Sequence, residues 1–225
     1  MSIILELRER TQHAGIPLIH PSSEHVVLSN VFGVTKNLPF EAFLNPWLES
    51  VTSGSVPTAE DWQFRFWEHQ PKPDQILEGS TEVDLVIEST LALVFTEVKM
   101  NAGPSPGTSH DSNRHQLVRN LDIGYSQART KGLEFALIYV TPELTVPDEV
   151  TRLARSSIKF PCNEGVDGAR ITRCLYWTSW SKIGEVLARS YRENRIGEKV
   201  RGFALDLLAA EHGVTFAEGA GVFEG

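Results

Sequence analysis

Hydrophobic and polar positions are most tightly organised in residues 81–100, TEVDLVIESTLALVFTEVKM. In residues 83–89, Val83, Leu85 and Ile87 alternate with Asp84 and Glu88, with Val86 between the two acids. Side chains in a strand point to opposite faces in turn, so this pattern predicts a strand with one apolar face. Residues 91–100 stay apolar almost without a break until Thr96-Glu97-Val98-Lys99. Such a run suits a strand buried on both faces. The two arms predict a β-hairpin that turns near Ser89, Thr90 and Leu91.

The flanking sequence supplies further elements. Residues 2–14 read as a helix ended by Gly15-Ile16-Pro17. A second helix starts after Ser22-Ser23 and carries Val27, Leu28, Val31 and Val34 on one stripe. Residues 40–51 form a third apolar stripe, which Pro46 kinks or divides. Residues 62–68 alternate Trp62, Phe64 and Phe66 with Gln63, Arg65 and Trp67, and read as the first strand. After a polar loop at 101–113, Ser112 or Asn113 is placed to cap a helix running to about Lys131. Its core stripe is Leu117, Leu121, Gly124, Tyr125 and Ala128, and Gly132 ends it. Residues 133–141, LEFALIYVT, are too short and apolar for a helix and predict a buried parallel strand. Beyond them come a helix at 147–158, a strand at 173–178 and helices near 183–191 and 196–208. The whole predicts an α/β (α+β) chain, a mixed sheet flanked by helices. It reads as one domain over 1–225, with a core at about 22–141 and a C-terminal strand and helical extension at about 142–217.

Composition narrows the classes. The chain has 225 residues, 41% hydrophobic and 22% charged, an ordinary globular mixture. No run approaches the ~20 apolar residues of a membrane span, and residues 1–12 lack the apolar centre of a signal peptide. Cys162 and Cys174 are the two cysteines, too few for a four-cysteine metal site. They fit reduced thiols in a cytosolic, cytoplasmic setting. A net charge of −8 argues against a general DNA-coating role, since backbone affinity comes from Lys and Arg. It leaves room for a local basic cleft. No GxxxxGK[ST] loop is present.

The hairpin carries the candidate chemistry. Glu97 and Lys99 are two apart and share a face, and a turn at Ser89–Leu91 sets Asp84 opposite Phe95 or Glu97. Cross-strand neighbours approach to about 4.5–5.5 Å between Cβ atoms. Two carboxylates at that distance repel unless something neutralises them. Mg²⁺ typically takes one or two protein carboxylates with waters and phosphate oxygens, and an adjacent lysine then positions a water. A surface salt bridge of Lys99 with Glu97 or Asp84 fits the same spacing. Glu24 lies three and four residues before Val27 and Leu28, on the core-facing stripe. It reads either as a further acid for the site or as an N-terminal acid favoured by the helix dipole. A polar stripe of Asn113, Gln116, Asn120 and Gln127 runs along the 113–131 helix. Arg114 and Arg119 lie beside it, and Arg114 reads as part of a solvated face.

Asp84 and Glu97-Val98-Lys99 together resemble the PD-(D/E)XK nuclease superfamily, the restriction-endonuclease-like fold, with Val83 where the motif carries proline. The resemblance covers residues 22–141 in an α-β-β-β-α-β order. It implies a Mg²⁺-dependent nuclease acting on DNA, with Mn²⁺ able to substitute, in restriction, repair, recombination or phage defence. Asp84 and Glu97 would bind the metal with the Val98 carbonyl, and Glu24 would add a further ligand. Lys99 would orient the water, and Gln116 would border the site. Arg119 would contact phosphate, with Asn113 on the same substrate side. A homodimer would suit cleavage of both strands. The alternative is a catalytically silent nuclease-fold protein that binds nucleic acid or protein.

Overall fold

The computed structural model describes residues 24–70, 81–100, 114–155 and 158–196. Their elements, in order, are α1 (Glu24–Thr35), a short 3₁₀ turn (Phe40–Ala42), α2 (Leu44–Thr52), β1 (Gln63–Gln70), β2 (Thr81–Glu88) and β3 (Ala92–Val98). There follow α3 (Gln116–Lys131), β4 (Glu134–Thr141), α4 (Asp148–Arg155), a second 3₁₀ turn (Pro161–Asn163), α5 (Gly168–Thr172), β5 (Leu175–Ser179) and α6 (Trp180–Arg192). The expected helices at 2–14 and 196–208 lie outside the described residues. Pro46 sits in the first turn of α2, where its missing N–H costs nothing. The 40–51 stretch accordingly divides in two. The expected cap from Ser112 or Asn113 also lies outside the described residues. His115 occupies the N-cap position of α3, with no side-chain bond to the helix.

Chain contacts group the described residues into two compact units. One comprises those up to Leu44 and those from Trp180, and the other is Asn45–Ser179. In the first unit α1 buries Val27, Leu28, Val31 and Phe32, and Phe32 meets Phe43 at 6.3 Å between ring centroids. Ser190 of α6 donates to the carbonyl of Ala42.

The second unit is a mixed α/β fold around a five-stranded sheet in the order β1-β2-β3-β4-β5. β1, β2 and β3 run antiparallel, and β3, β4 and β5 parallel. The hairpin turns where the sequence predicts, with Ser89 N–H donating to Ala92 carbonyl at 2.9 Å. Every residue of β3 is buried, as its unbroken apolar run requires. α3 lies against this sheet through Leu117, Val118, Leu121 and Ala128, which join Leu93, Phe95, Leu137 and Tyr139 in one core. Each Leu, Val or Phe among them contributes about 1.5–3 kcal/mol by leaving water. Gly124 permits the close approach, because a Cβ there would stand 2.4 Å from the Phe135 ring. Gly132 ends α3 in the left-handed conformation at φ 70°, returning the chain to β4.

Alternation along β1 and β2 departs from the sequence expectation. Val83 and Val86 both join the core beneath α3, although an odd separation should put them on opposite faces. In β1, Arg65 donates to Glu88, which also accepts from Lys131 of α3. Five residues on, Gln70 accepts from Gln127 of the same helix at 2.7 Å. Trp67, between them, has a left-handed φ of 50°. That conformation, strained for a bulky non-glycine residue, reverses the facing of the strand.

Candidate active site

Asp84 sits where this reversal falls. Backbone pairing between β2 and β3 runs from Glu88↔Leu93 to Leu85↔Thr96 and stops there. One further step in that register sets Asp84 opposite Glu97, and Phe95 pairs with Val86 instead. On the other side of β2, pairing with β1 passes from Phe66↔Leu85 to Glu68↔Val83, omitting Trp67 and Asp84. The sheet therefore opens on both sides of Asp84. Its carboxylate fills the gap in the ladder, with Oδ2 accepting from Val98 N–H at 2.8 Å. A side chain thus replaces a strand's backbone acceptor and is fixed by it.

Glu97 projects from the last turn of the β3 ladder into the same space. It is 0% exposed, while Asp84 and Lys99 are each 7% exposed. Lys99 Nζ donates to Glu97 Oε1 at 2.7 Å, as two residues on one face of an extended chain allow. Lys99 N–H holds to Val140 carbonyl at 2.9 Å, so its backbone is tied to β4. The second oxygen, Oε2, accepts from Asn120 Nδ2 at 3.2 Å. Thr81 Oγ1 in turn donates to Asn120 Oδ1 at 2.9 Å, which fixes the amide orientation. Burial raises the Glu97 carboxyl well above the ordinary carboxylate range. The Asp84 charge adds to this, Lys99 opposes it, and a hydrogen bond links the two carboxyls.

The neighbouring strand continues the polar edge. Tyr139 is the direct partner of Glu97 in β4. Its hydroxyl donates to Glu149 Oε1 of α4 at 3.3 Å. Burial first, and then Glu149, hold that phenol protonated far above the usual tyrosine range.

Of the residues singled out in the sequence, Asp84, Glu97, Val98 and Lys99 come together. Gln116 opens α3, half-buried, one turn before Asn120. Arg119 is half-buried, and its Nη1 donates to Arg114 carbonyl at 2.9 Å. Asn113 and the side chain of Glu24 lie outside the described residues. Arg114 is not on a solvated face. It is 5% exposed and pairs with Asp122 at 2.9 Å. It precedes the first residue of α3, so helical periodicity does not govern where it points. Asn120 and Thr81 complete the site and were not chosen from the sequence. Asn120 lies on the predicted polar stripe four residues from Gln116, which is the one signal that marked it. Nothing in the sequence marks the left-handed Trp67.

The donor set suits a hard cation that keeps several waters. Asp84 and Glu97 converge beside the Val98 N–H, and Asn120 orients Glu97. Among the described residues no group of three or more His, Cys, Asp or Glu converges, so an all-protein cage of the kind zinc prefers is not formed there. Among the described residues no helix is long and apolar enough to cross a membrane. Comparison with known proteins finds no matching family model, no matching curated protein and no matching solved structure.

Proposed function

We propose that the chain is a Mg²⁺-dependent phosphodiesterase acting on DNA, a restriction- or defence-type endonuclease of the PD-(D/E)XK kind. One observation carries this reading. Two hydrogen-bonded carboxyls and a lysine converge at the opened end of an otherwise apolar hairpin. When both carboxyls ionise, the single lysine leaves one buried negative charge uncompensated, which a divalent cation would offset.

Asp84, Glu97 and the Val98 carbonyl are the groups to hold Mg²⁺, or Mn²⁺ in its place. When bound, the ion supplies Lewis-acid stabilisation of charge on the phosphodiester. Asp84 is preorganised by Val98 N–H, so it loses little freedom on binding. Asn120 keeps Glu97 Oε2 directed, and Lys99 contacts Oε1. The Lys99 ammonium then holds the attacking water and offsets negative charge gathering on the phosphate oxygens. Gln116 borders this position from the first turn of α3, and Arg119 offers a guanidinium for a flanking phosphate. Asn113 and Glu24 belong to the same reading as a substrate contact and a further metal ligand. Cleavage of both strands favours a homodimer, and a cytoplasmic location fits the substrate.

The second reading is a catalytically silent binding module on the same fold. The full burial of Glu97 and the net charge of −8 favour it. Cleavage of supercoiled, linear and single-stranded DNA with Mg²⁺ or Mn²⁺ separates the two, comparing the parent with Glu97→Ala and Lys99→Ala. Metal-dependent cleavage lost in both variants supports the nuclease. Absence of cleavage in every form, with no Mn²⁺ bound, supports the binding module.

A further inference from the structure

Two chains of contact lead outward from Glu97. Through Asn120 the path reaches α3, and one turn back along that helix stand Gln116 and His115. Through Tyr139 it reaches Glu149 of α4, and one turn forward stands Arg152. The two ends meet. His115 lies close enough to Arg152 and Arg119 that both disfavour charging its ring, which burial and these arginines push down to about 4. His115 and Arg119 share a helix face at i and i+4. The buried His115 Nδ1 has no hydrogen-bond partner among the described residues.

Along α4 runs an open groove of ≈ 460 Å³ lined by Asp148, Thr151, Arg152 and Arg155. These positions recur every three or four residues and so form one face of the helix. Arg152 and Arg155 are exposed, and neither has an ion-pair partner among the described residues. Asp148, at the helix start, is the one acid lining the groove. The chain carries a net charge of −8, yet two guanidiniums line this groove.

We propose that His115, Arg119 and the α4 groove form a phosphate-binding track. It takes the sugar–phosphate backbone of a nucleic-acid strand next to the one held at Lys99. This rests on the nuclease reading for which strand is bound, and it adds where that strand leaves the site. An anion beside His115 is attracted by both the Arg119 and the Arg152 guanidinium. Arg152 and Arg155, about 4.5 Å apart along the helix axis, then follow the backbone away. Thr151 offers a hydroxyl to the same oxygens.

The test is binding of a fluorescein-labelled oligo(dT) to the full chain in EDTA, followed by anisotropy across a salt series. Without metal there is no cleavage, so the result does not depend on the acid pair. Arg152→Gln with Arg155→Gln is expected to weaken binding several-fold. It should also reduce the slope of log K against log salt by about 0.7 for each arginine. Arg129→Gln, in the last turn of α3 and about 20 Å along the helix from His115, should leave both unchanged. Addition of inorganic phosphate should shift the His115 ring resonances in the parent and not in the double variant. Unchanged affinity and slope in the double variant would overturn the track, as would a parent that does not bind the oligonucleotide. Tighter binding of poly-glutamate than of oligo(dT) would overturn it in favour of an acidic protein partner. Arginine-dependent binding by a parent that never cleaves DNA would leave the track standing and remove the nuclease. Cleavage that needs Glu97 and Lys99 but ignores Arg152 and Arg155 would do the reverse.

Discussion

The Asn45–Ser179 unit buries two acid–base pairs, and they are built in opposite ways. Asp122, 0% exposed, accepts from Arg114 at 2.9 Å, from the Asn163 amide at 2.9 Å and from Cys162 N–H at 3.1 Å. Arg114 also donates to Lys159 carbonyl at 3.0 Å. Donors surround this carboxylate, and α3 is thereby fastened to the loop carrying the second 3₁₀ turn. Glu97 is just as buried, and burial first, then the neighbouring Asp84 carboxyl, raises its proton affinity. A buried acid kept for structure is saturated by donors. A buried acid crowded by a second one has its proton affinity shifted, a feature that clusters at functional sites.

The contrast is broken most strongly by mutation on the structural side. Asp122→Ala leaves the Arg114 guanidinium buried without its counter-ion and should cost about 3–5 kcal/mol in urea unfolding. Glu97→Gln keeps the shape and removes a charge that burial opposes, so its stability at neutral pH should match or exceed the parent. The two pairs would be equivalent if both variants lost stability alike.

The pH dependence sharpens the same point. Folding raises the Glu97 pKa above 4.5, so the metal-free folded chain holds a proton that the unfolded chain releases. Stability from this group is therefore complete below about 4.5 and falls as pH rises toward the folded value, at up to about 1.4 kcal/mol per pH unit. Glu97→Gln should flatten that decline in unfolding curves taken across the range. An unchanged decline would place its origin elsewhere.

Smaller effects separate orientation from ligation. Asn120→Ala removes the donor to Glu97 Oε2 and the acceptor for Thr81, and should weaken Mn²⁺ binding by about 10–100-fold without abolishing it. At Trp67 the backbone is what matters. Trp67→Gly suits φ 50° and should hold Mn²⁺ affinity near that of the parent. Trp67→Val resists that conformation, so it should lose affinity and about 1–3 kcal/mol of stability. Equal affinities in the two variants would show that the strand reversal does not set Asp84.

The hairpin, its turn and the parallel strand after α3 were legible because each is a local matter of period, length and turn residues. Counting back from the turn sets Asp84 opposite Phe95 or Glu97, and the observed register selects Glu97. Periodicity could not reveal what depends on the third dimension. Arg114 lies just before the first residue of α3, where a helical pattern no longer fixes direction, and its partner Asp122 is buried on the helix itself. Asn120 was one of four polar residues on a stripe, and only the approach of α3 to β3 selects it. The reversal at Trp67 breaks the two-residue period on which the strand reading of β1 rests. The Glu24 side chain and Asn113 lie outside the described residues.

The most direct test of the acid pair is Mn²⁺ titration of the parent, Asp84→Asn and Glu97→Gln by calorimetry, with folding checked by circular dichroism. Saturable binding by the parent, lost in both folded variants, is the expected result. No binding by the parent, or binding undiminished in both variants, would contradict a metal site at Asp84 and Glu97.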